Sequence, residues 1–160
     1  MKKLIPFICI LVFTNSVHAQ ITSATFGMME ARQIGPATMG GRLTAIEGVN
    51  NEPRTIYIGS AGGGVWKTED MGITWNNISD SFFKTSSVGA VSVAESDPNV
   101  VYVGMGEHAV RGVMTHGGDG MYKSTDAGKT GKKIGLDLKQ HSARFAIHPK
   151  DPTIVLMAGK

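Results

Sequence analysis

An all-β fold is what this sequence predicts, and three observations predict it. Glycine is frequent, at 21 of 160 residues, about twice its ordinary share of ~7%. Apolar residues, 41% of the chain, come in short runs, many of them β-branched and bounded by turn residues. Those runs recur in one order: an apolar strand, a proline turn, a β-branched strand. The glycines show no three-residue period and the apolar content is ordinary, so neither collagen nor disorder fits. The turn prolines Pro53, Pro98 and Pro152 lie 45 and 54 residues apart. A period of about 50 with four strands per unit is that of β-propeller blades, not of a short-period solenoid.

Residues 1–19 read as a signal peptide, including its helix. Met1, Lys2 and Lys3 give a basic start, Leu4 to Phe13 an apolar core, and Val17-His18-Ala19 the small residues that a signal peptidase reads. The apolar core is too short to span a bilayer. Cleavage between Ala19 and Gln20 would deliver the chain to the periplasm, the cell surface or beyond. It would also remove two lysines and no acids, turning 16 basic against 13 acidic residues into 14 against 13. The basic balance is largely a leader effect, which excludes an electrostatic nucleic-acid footprint. Cys9, the only cysteine, leaves with the leader, and with it go disulfide frameworks and thiolate chemistry.

After a lead-in segment (20–41), residues 42–160 divide into three units, at about 42–80, 88–136 and 142–160. In the first, Arg42 to Ile46 reads as a strand, Asn50-Asn51-Glu52-Pro53 as a turn, and Thr55 to Gly59 as a β-branched strand. Gly89 to Val93, Ser96 to Asn99 and Val100 to Gly104 repeat the plan. Arg144 to Ile147, Pro149 to Pro152 and Thr153 to Gly159 repeat it again. Each is a hairpin signal. Two further segments follow in units one and two: Gly64-Val65-Trp66-Lys67-Thr68 leads into Thr68 to Trp75, and Gly120-Met121-Tyr122-Lys123-Ser124 into Ser124 to Gly131. Both carry Ser/Thr-x-Asp-x-Gly-x-Thr, as Thr68, Asp70, Gly72, Thr74 and as Ser124, Asp126, Gly128, Thr130. Between two strands this predicts a tight turn in which the Asp accepts backbone N–H bonds and the Gly takes positive φ. The Thr, with Trp75 in unit one, then starts the next strand.

The element is similar to the Asp-box, or bacterial neuraminidase repeat, of sialidases, sortilin-type receptors and several glycoside hydrolase propellers. Two copies in register with proline hairpins make the resemblance specific. Ile34 to Arg42 and Gly62 to Lys67 further resemble exported bacterial proteins of the sortilin-N-terminal-like and glycosyl-hydrolase-like kind. The likeness covers about residues 28–160. One departure is Gly131, which stands where the pattern has Trp and is expected to weaken the outer strand of the second blade. With two full units and one hairpin, the chain is expected to be an N-terminal fragment whose ring is completed by the remaining blades of a parent protein.

The resemblance implies that the box joins third to fourth strands, away from the ligand mouth. Asp70 and Asp126 are then turn-formers, and Trp66 and Trp75 pack between blades. The mouth draws on loops leading into first strands, bringing Arg42 and Arg144, and on loops joining second to third strands. The longest of those carries Glu107, His108, Arg111, His116 and Asp119, able to bind a carboxylate or sugar through Arg111 and Glu107. His108 and His116 lack a third ligand at compact spacing, so no metal site is expected, and no cofactor. Sialidase chemistry would need a tyrosine–glutamate pair, but Tyr57 and Tyr102 fall inside strands. A glycosidase would need two facing carboxylates, and only Glu107 and Asp119 lie on the inferred ligand face. Two readings follow: a secreted scaffold binding a peptide, protein or glycan at its mouth, or a carbohydrate-active hydrolase whose catalytic residues lie mostly elsewhere.

Overall fold

The computed structural model describes residues 42–107, 116–137 and 141–160. The leader and the lead-in segment lie outside them. All regular structure among the described residues is β-strand, in three antiparallel sheets. The first holds β1 (Leu43–Val49), β2 (Glu52–Ser60), β3 (Gly64–Thr68) and β4 (Asn76–Asn77), in that spatial order. The second repeats it with β5 (Val88–Ala94), β6 (Asp97–Met105), β7 (Met121–Ser124) and β8 (Lys132–Gly135). A third sheet pairs β9 (Ser142–Ile147) with β10 (Val155–Gly159). These are blades of a β-propeller. β1 packs beside β5 and β5 beside β9, so the first strand of each sheet is the innermost.

Pairing in register explains the repeat. Ala45, Ala90 and Arg144 pair with Gly59, Gly104 and Ala158, and in each sheet one bulged residue precedes the pair: Thr44, Gly89 and Ala143. Val49 pairs with Glu52 and Ala94 with Asp97, which leaves two-residue turns at Asn50-Asn51 and Glu95-Ser96. This corrects the sequence reading of two prolines. Pro53 and Pro98 are the second residues of β2 and β6, placed before pairing with β3 or β7 begins, where no ladder bond needs the missing N–H. Pro152 does lie in its turn.

Strand alternation gives each blade two apolar faces. Tyr57 and Val65 of the first blade meet Val91, Val103, Met105 and Tyr122 of the second in one buried cluster. The opposite face of the second blade, with Ala90, Tyr102 and Met121, buries against Phe145 and the half-buried Val155 and Met157. Gly59 and Gly104, at equivalent places on second strands, let the next blade approach. A Cβ at Gly59 would lie 2.6 Å from Val88 Cγ1, and one at Gly104 2.5 Å from Ser142 Cβ. A tyrosine then ties each joint. Tyr57 Oη donates to the Ala127 carbonyl at 3.1 Å, and Tyr102 Oη to that of Pro152 at 2.7 Å. Lys67 and Lys123 sit over those same rings, 5.4 and 5.2 Å from the centroids.

Candidate functional site

The two Asp turns join β3 to β4 and β7 to β8, at the end of the blades opposite the start of the innermost strands. Asp70 accepts the Thr74 N–H at 2.9 Å and the Thr74 and Thr68 hydroxyls at 2.6 and 2.7 Å. Asp126 accepts the Thr130 N–H at 2.8 Å and the Thr130 and Ser124 hydroxyls, each at 2.7 Å. The Thr74 hydroxyl, then the Thr74 amide, hold Asp70 down to about 2; for Asp126 the Thr130 amide leads, and the value is also about 2. Carboxylates so engaged are turn-formers and remain ionised. Gly72 and Gly128 take positive φ, and so do the preceding Met71 and Ala127. Thr74 and Trp75 do not start the next strand, which begins at Asn76. Nor does Trp75 pack between blades: its indole folds over its own turn and Nε1 donates to the Gly72 carbonyl at 3.1 Å. Trp66 is buried, on the face of β3 opposite Val65, with Nε1 donating to the Gly63 carbonyl.

The expected mouth lies where the innermost strands begin. The carbonyls of Arg42, Ser87 and His141 accept the N–H of Ala61, Gly106 and Lys160, at 2.9, 2.7 and 2.9 Å. These three positions are therefore equivalent, one per sheet, just ahead of β1, β5 and β9. Glu107 lies among them. Arg42 Nε and Nη2 donate to its two carboxylate oxygens at 2.6 and 2.5 Å, a bidentate pair joining the first blade to the second. The Glu107 side chain is 4% exposed and that of Arg42 47%. The hydrogen bond to Glu107 raises the Arg42 pKa further. Glu107 N–H donates to Ser87 Oγ at 3.1 Å, and its carbonyl lies 2.8 Å from His141 Nδ1. A carbonyl only accepts, so His141 carries its proton on Nδ1. His116 is exposed, and its own carbonyl accepts from Ser87 Oγ and Glu107 N–H, both at 3.2 Å.

The other expected site residues fall elsewhere. Asp119 accepts Tyr122 Oη at 2.8 Å and Thr85 Oγ1 at 3.3 Å and lies 3.7 Å from Lys133 Nζ, among outer strands. Glu107 and Asp119 thus serve separate networks. Arg144 is not on a loop leading into a first strand. It is exposed within β9, on the wall of the cleft beside the innermost strands. His108 and Arg111 lie outside the described residues. Among those described, no group of three or more His, Cys, Asp or Glu is placed to hold a metal ion.

The cleft along β1, β5 and β9 has a volume of about 1020 Å³. Its wall carries Glu47, which sequence reasoning passed over. Glu47 Oε1 accepts the Val93 N–H of the second blade at 3.2 Å. Burial pushes its pKa up, against that hydrogen bond and with the help of Glu95. A glutamate inside the apolar run Leu43–Val49 was the available signal. Ser87 and His141 were also passed over, and they become legible once the bulges fix which residue precedes each first strand. Among the described residues no Phe, Tyr or Trp side chain is exposed, and Phe145, on the cleft wall, is buried.

Comparison with protein-family models and with curated proteins gives no match. Solved structures do match. An ancestral GH74 enzyme superposes with a TM-score of 0.50 at 20% identity, over 69% of this chain and 15% of that one. A GH74 enzyme from Niastella koreensis gives 0.48 at 19% identity, over 65% and 16%. The GH74 xyloglucanase from Xanthomonas campestris gives 0.47 at 18%, over 75% and 20%. The chain spans a fifth or less of the length of these enzymes. The likeness to the ancestral GH74 enzyme is one of fold.

Proposed function

We propose that this chain belongs to an exported Asp-box propeller that binds a protein, peptide or glycan ligand at the mouth formed by Arg42, Ser87, His116 and His141. The Arg42–Glu107 pair carries the reading. It commits Glu107, the one buried carboxylate among the described residues, to holding two blades together, beside a half-exposed guanidinium, the exposed His116 and the half-buried His141. Glycosidic hydrolysis asks for two carboxylates flanking one bond, one of them free to carry a proton. Glu107 and Asp119 are engaged in separate networks, which favours binding without cleavage. The second reading is a carbohydrate-active hydrolase, favoured by the fold likeness to an ancestral GH74 enzyme.

The two readings separate on the full chain. It is immobilised and offered to arrays of polysaccharides and of peptides, while reducing ends are followed in solution. Retention of a ligand without new reducing ends is expected, with retention weakened in Arg42→Ala. Release of reducing ends that disappears in Glu107→Gln would establish the hydrolase instead. Export is tested separately by mass spectrometry of the secreted product, which should begin at Gln20.

A further inference from the structure

We propose that His148 is a proton-operated latch: its neutral ring closes the turn between β9 and β10, and its protonation opens that turn and loosens the joint to the second blade. The first two blades join their inner strands through two residues, Asn50-Asn51 and Glu95-Ser96. The third uses the longer stretch 148–154, which needs bonds of its own. His148 N–H donates to the Ile154 carbonyl at 2.9 Å, and the Asp151 N–H to the His148 carbonyl at 3.3 Å. The imidazole supplies the rest. Its Nδ1 accepts the N–H of Lys150 at 3.3 Å and that of Asp151 at 3.1 Å.

A backbone N–H only donates, so Nδ1 presents a lone pair and the ring is neutral, with its proton on Nε2. The same chain shows this arrangement without a titrating group. Asn77 Oδ1 accepts the N–H of Ser79 at 2.8 Å and that of Asp80 at 3.1 Å. Those residues stand two and three places beyond Asn77, as Lys150 and Asp151 stand to His148. An amide oxygen plays this part at any pH. An imidazole plays it only while neutral, because the imidazolium carries N–H on both nitrogens.

What the turn carries gives the latch its reach. Pro152 follows Asp151, and its carbonyl accepts Tyr102 Oη at 2.7 Å, the polar tie between the second and third blades. The charged groups about the ring are Lys150 and Asp151 of its own turn, Lys123 of β7, which acts on Asp151 from the second blade, and Glu95, which lines the same cleft as Pro149. The Thr153 hydroxyl, then the Thr153 amide, hold the Asp151 carboxyl below the usual carboxylate range. Asp151 therefore offers a counter-charge to the imidazolium once the ring turns off the backbone, against the opposing charges of Lys150 and Lys123. The open turn takes up a proton that the closed turn excludes, so acid favours opening.

The latch lies apart from the mouth, so its test needs no ligand. In the full chain at neutral pH, nitrogen NMR of the His148 ring should show the proton on Nε2 and a bare Nδ1. Amide hydrogen exchange, corrected for the intrinsic effect of pH, should show the protection of Lys150 and Asp151 falling about tenfold between neutral pH and about pH 5, in line with the loss of two modest hydrogen bonds. His148→Asn should keep that protection at both pH values, as asparagine does at position 77, and His148→Ala should lack it at both. Over the same interval the denaturation midpoint should drop further in the parent than in His148→Asn. A proton on Nδ1 of the neutral ring, protection in the parent that acid leaves unchanged, or an acid loss that persists in His148→Asn would overturn the proposal. Equal drops of the midpoint in parent and His148→Asn would overturn it too, since the turn would then open without loosening the joint.

Discussion

Thr68 and Ser124 show how a single hydroxyl organises a turn. Thr68 Oγ1 donates to Asp70 and accepts the Gly72 N–H at 2.8 Å, and the residue is fully buried. Thr68→Val keeps the shape and removes the acceptor, so a lower urea midpoint is expected, equivalent to about 1 kcal/mol for a part-buried hydrogen bond lost. The aspartates give a pH signature. Their folded values of about 2 lie below the ordinary 3.8, so their contribution is present above pH 3.8 and is lost as pH falls towards 2. In Asp70→Asn/Asp126→Asn the loss of stability between pH 4 and 2 should be shallower than in the parent. An unchanged acid limb would show that the carboxylates do not hold these turns in solution. Glu47 has the opposite sign. Burial raises its pKa, so its favourable contribution is present at low pH and fades as pH rises past the folded value. Glu47→Gln should flatten that decline in the mildly acidic range, read from denaturation midpoints.

The outer strands were expected to be weaker in the second blade, because Gly131 stands where the repeat has Trp. In extent, the second blade's outer strand is the longer of the two. β8 runs for four residues and pairs with β7 at three positions, whereas β4 runs for two and pairs at two. Beside Gly131 lies Phe82, from the segment linking the blades. Its ring lies against Gly131, where a Cβ would collide with it, and packs edge-on to Phe83 at 4.9 Å. In the first turn Trp75 covers Gly72, whereas at the equivalent Gly128 it is Ile78 of the preceding blade that closes in, and Phe82 fills the space at Gly131. Restoring the repeat with Gly131→Trp should therefore destabilise, by about 1–3 kcal/mol for an overpacked site. Phe82→Ala in the same background should recover part of the loss. A Gly131→Trp protein as stable as the parent would mean that Phe82 yields its place freely.

At the scale of the whole molecule, cohesion rests on blade-to-blade joints made the same way twice. Each combines a buried apolar cluster, a glycine that permits close approach and a tyrosine hydroxyl bonded to a carbonyl of the next sheet. Tyr57→Phe and Tyr102→Phe each remove one hydrogen bond and little volume, for an expected cost of about 0.5–1.5 kcal/mol. The two sites share no partner, so the double variant should show the sum of the single effects in chemical denaturation. A double-variant cost well above the sum would show that the joints are coupled through the second blade. The Arg42–Glu107 pair depends on the same cohesion, since its partners come from neighbouring blades and meet only when these are docked.

The sequence by itself determined the elements. Proline spacing, β-branched runs and the twice-repeated Ser/Thr-x-Asp-x-Gly-x-Thr specified strands, hairpins and turn-forming aspartates, because local hydrogen bonding and alternation decide those over a few residues. Through the resemblance it also put Arg42 and Glu107 forward as candidates for one face, without showing that they would bond to each other across 65 positions. Only tertiary packing decided that. Packing also placed Asp119 with Tyr122 and Lys133, set Arg144 inside β9, turned Trp75 onto its own turn and brought Phe82 to Gly131. Each of these depends on which residues of distant strands lie side by side. That is fixed by bulges, glycines and blade docking, none of which a window of neighbouring residues contains.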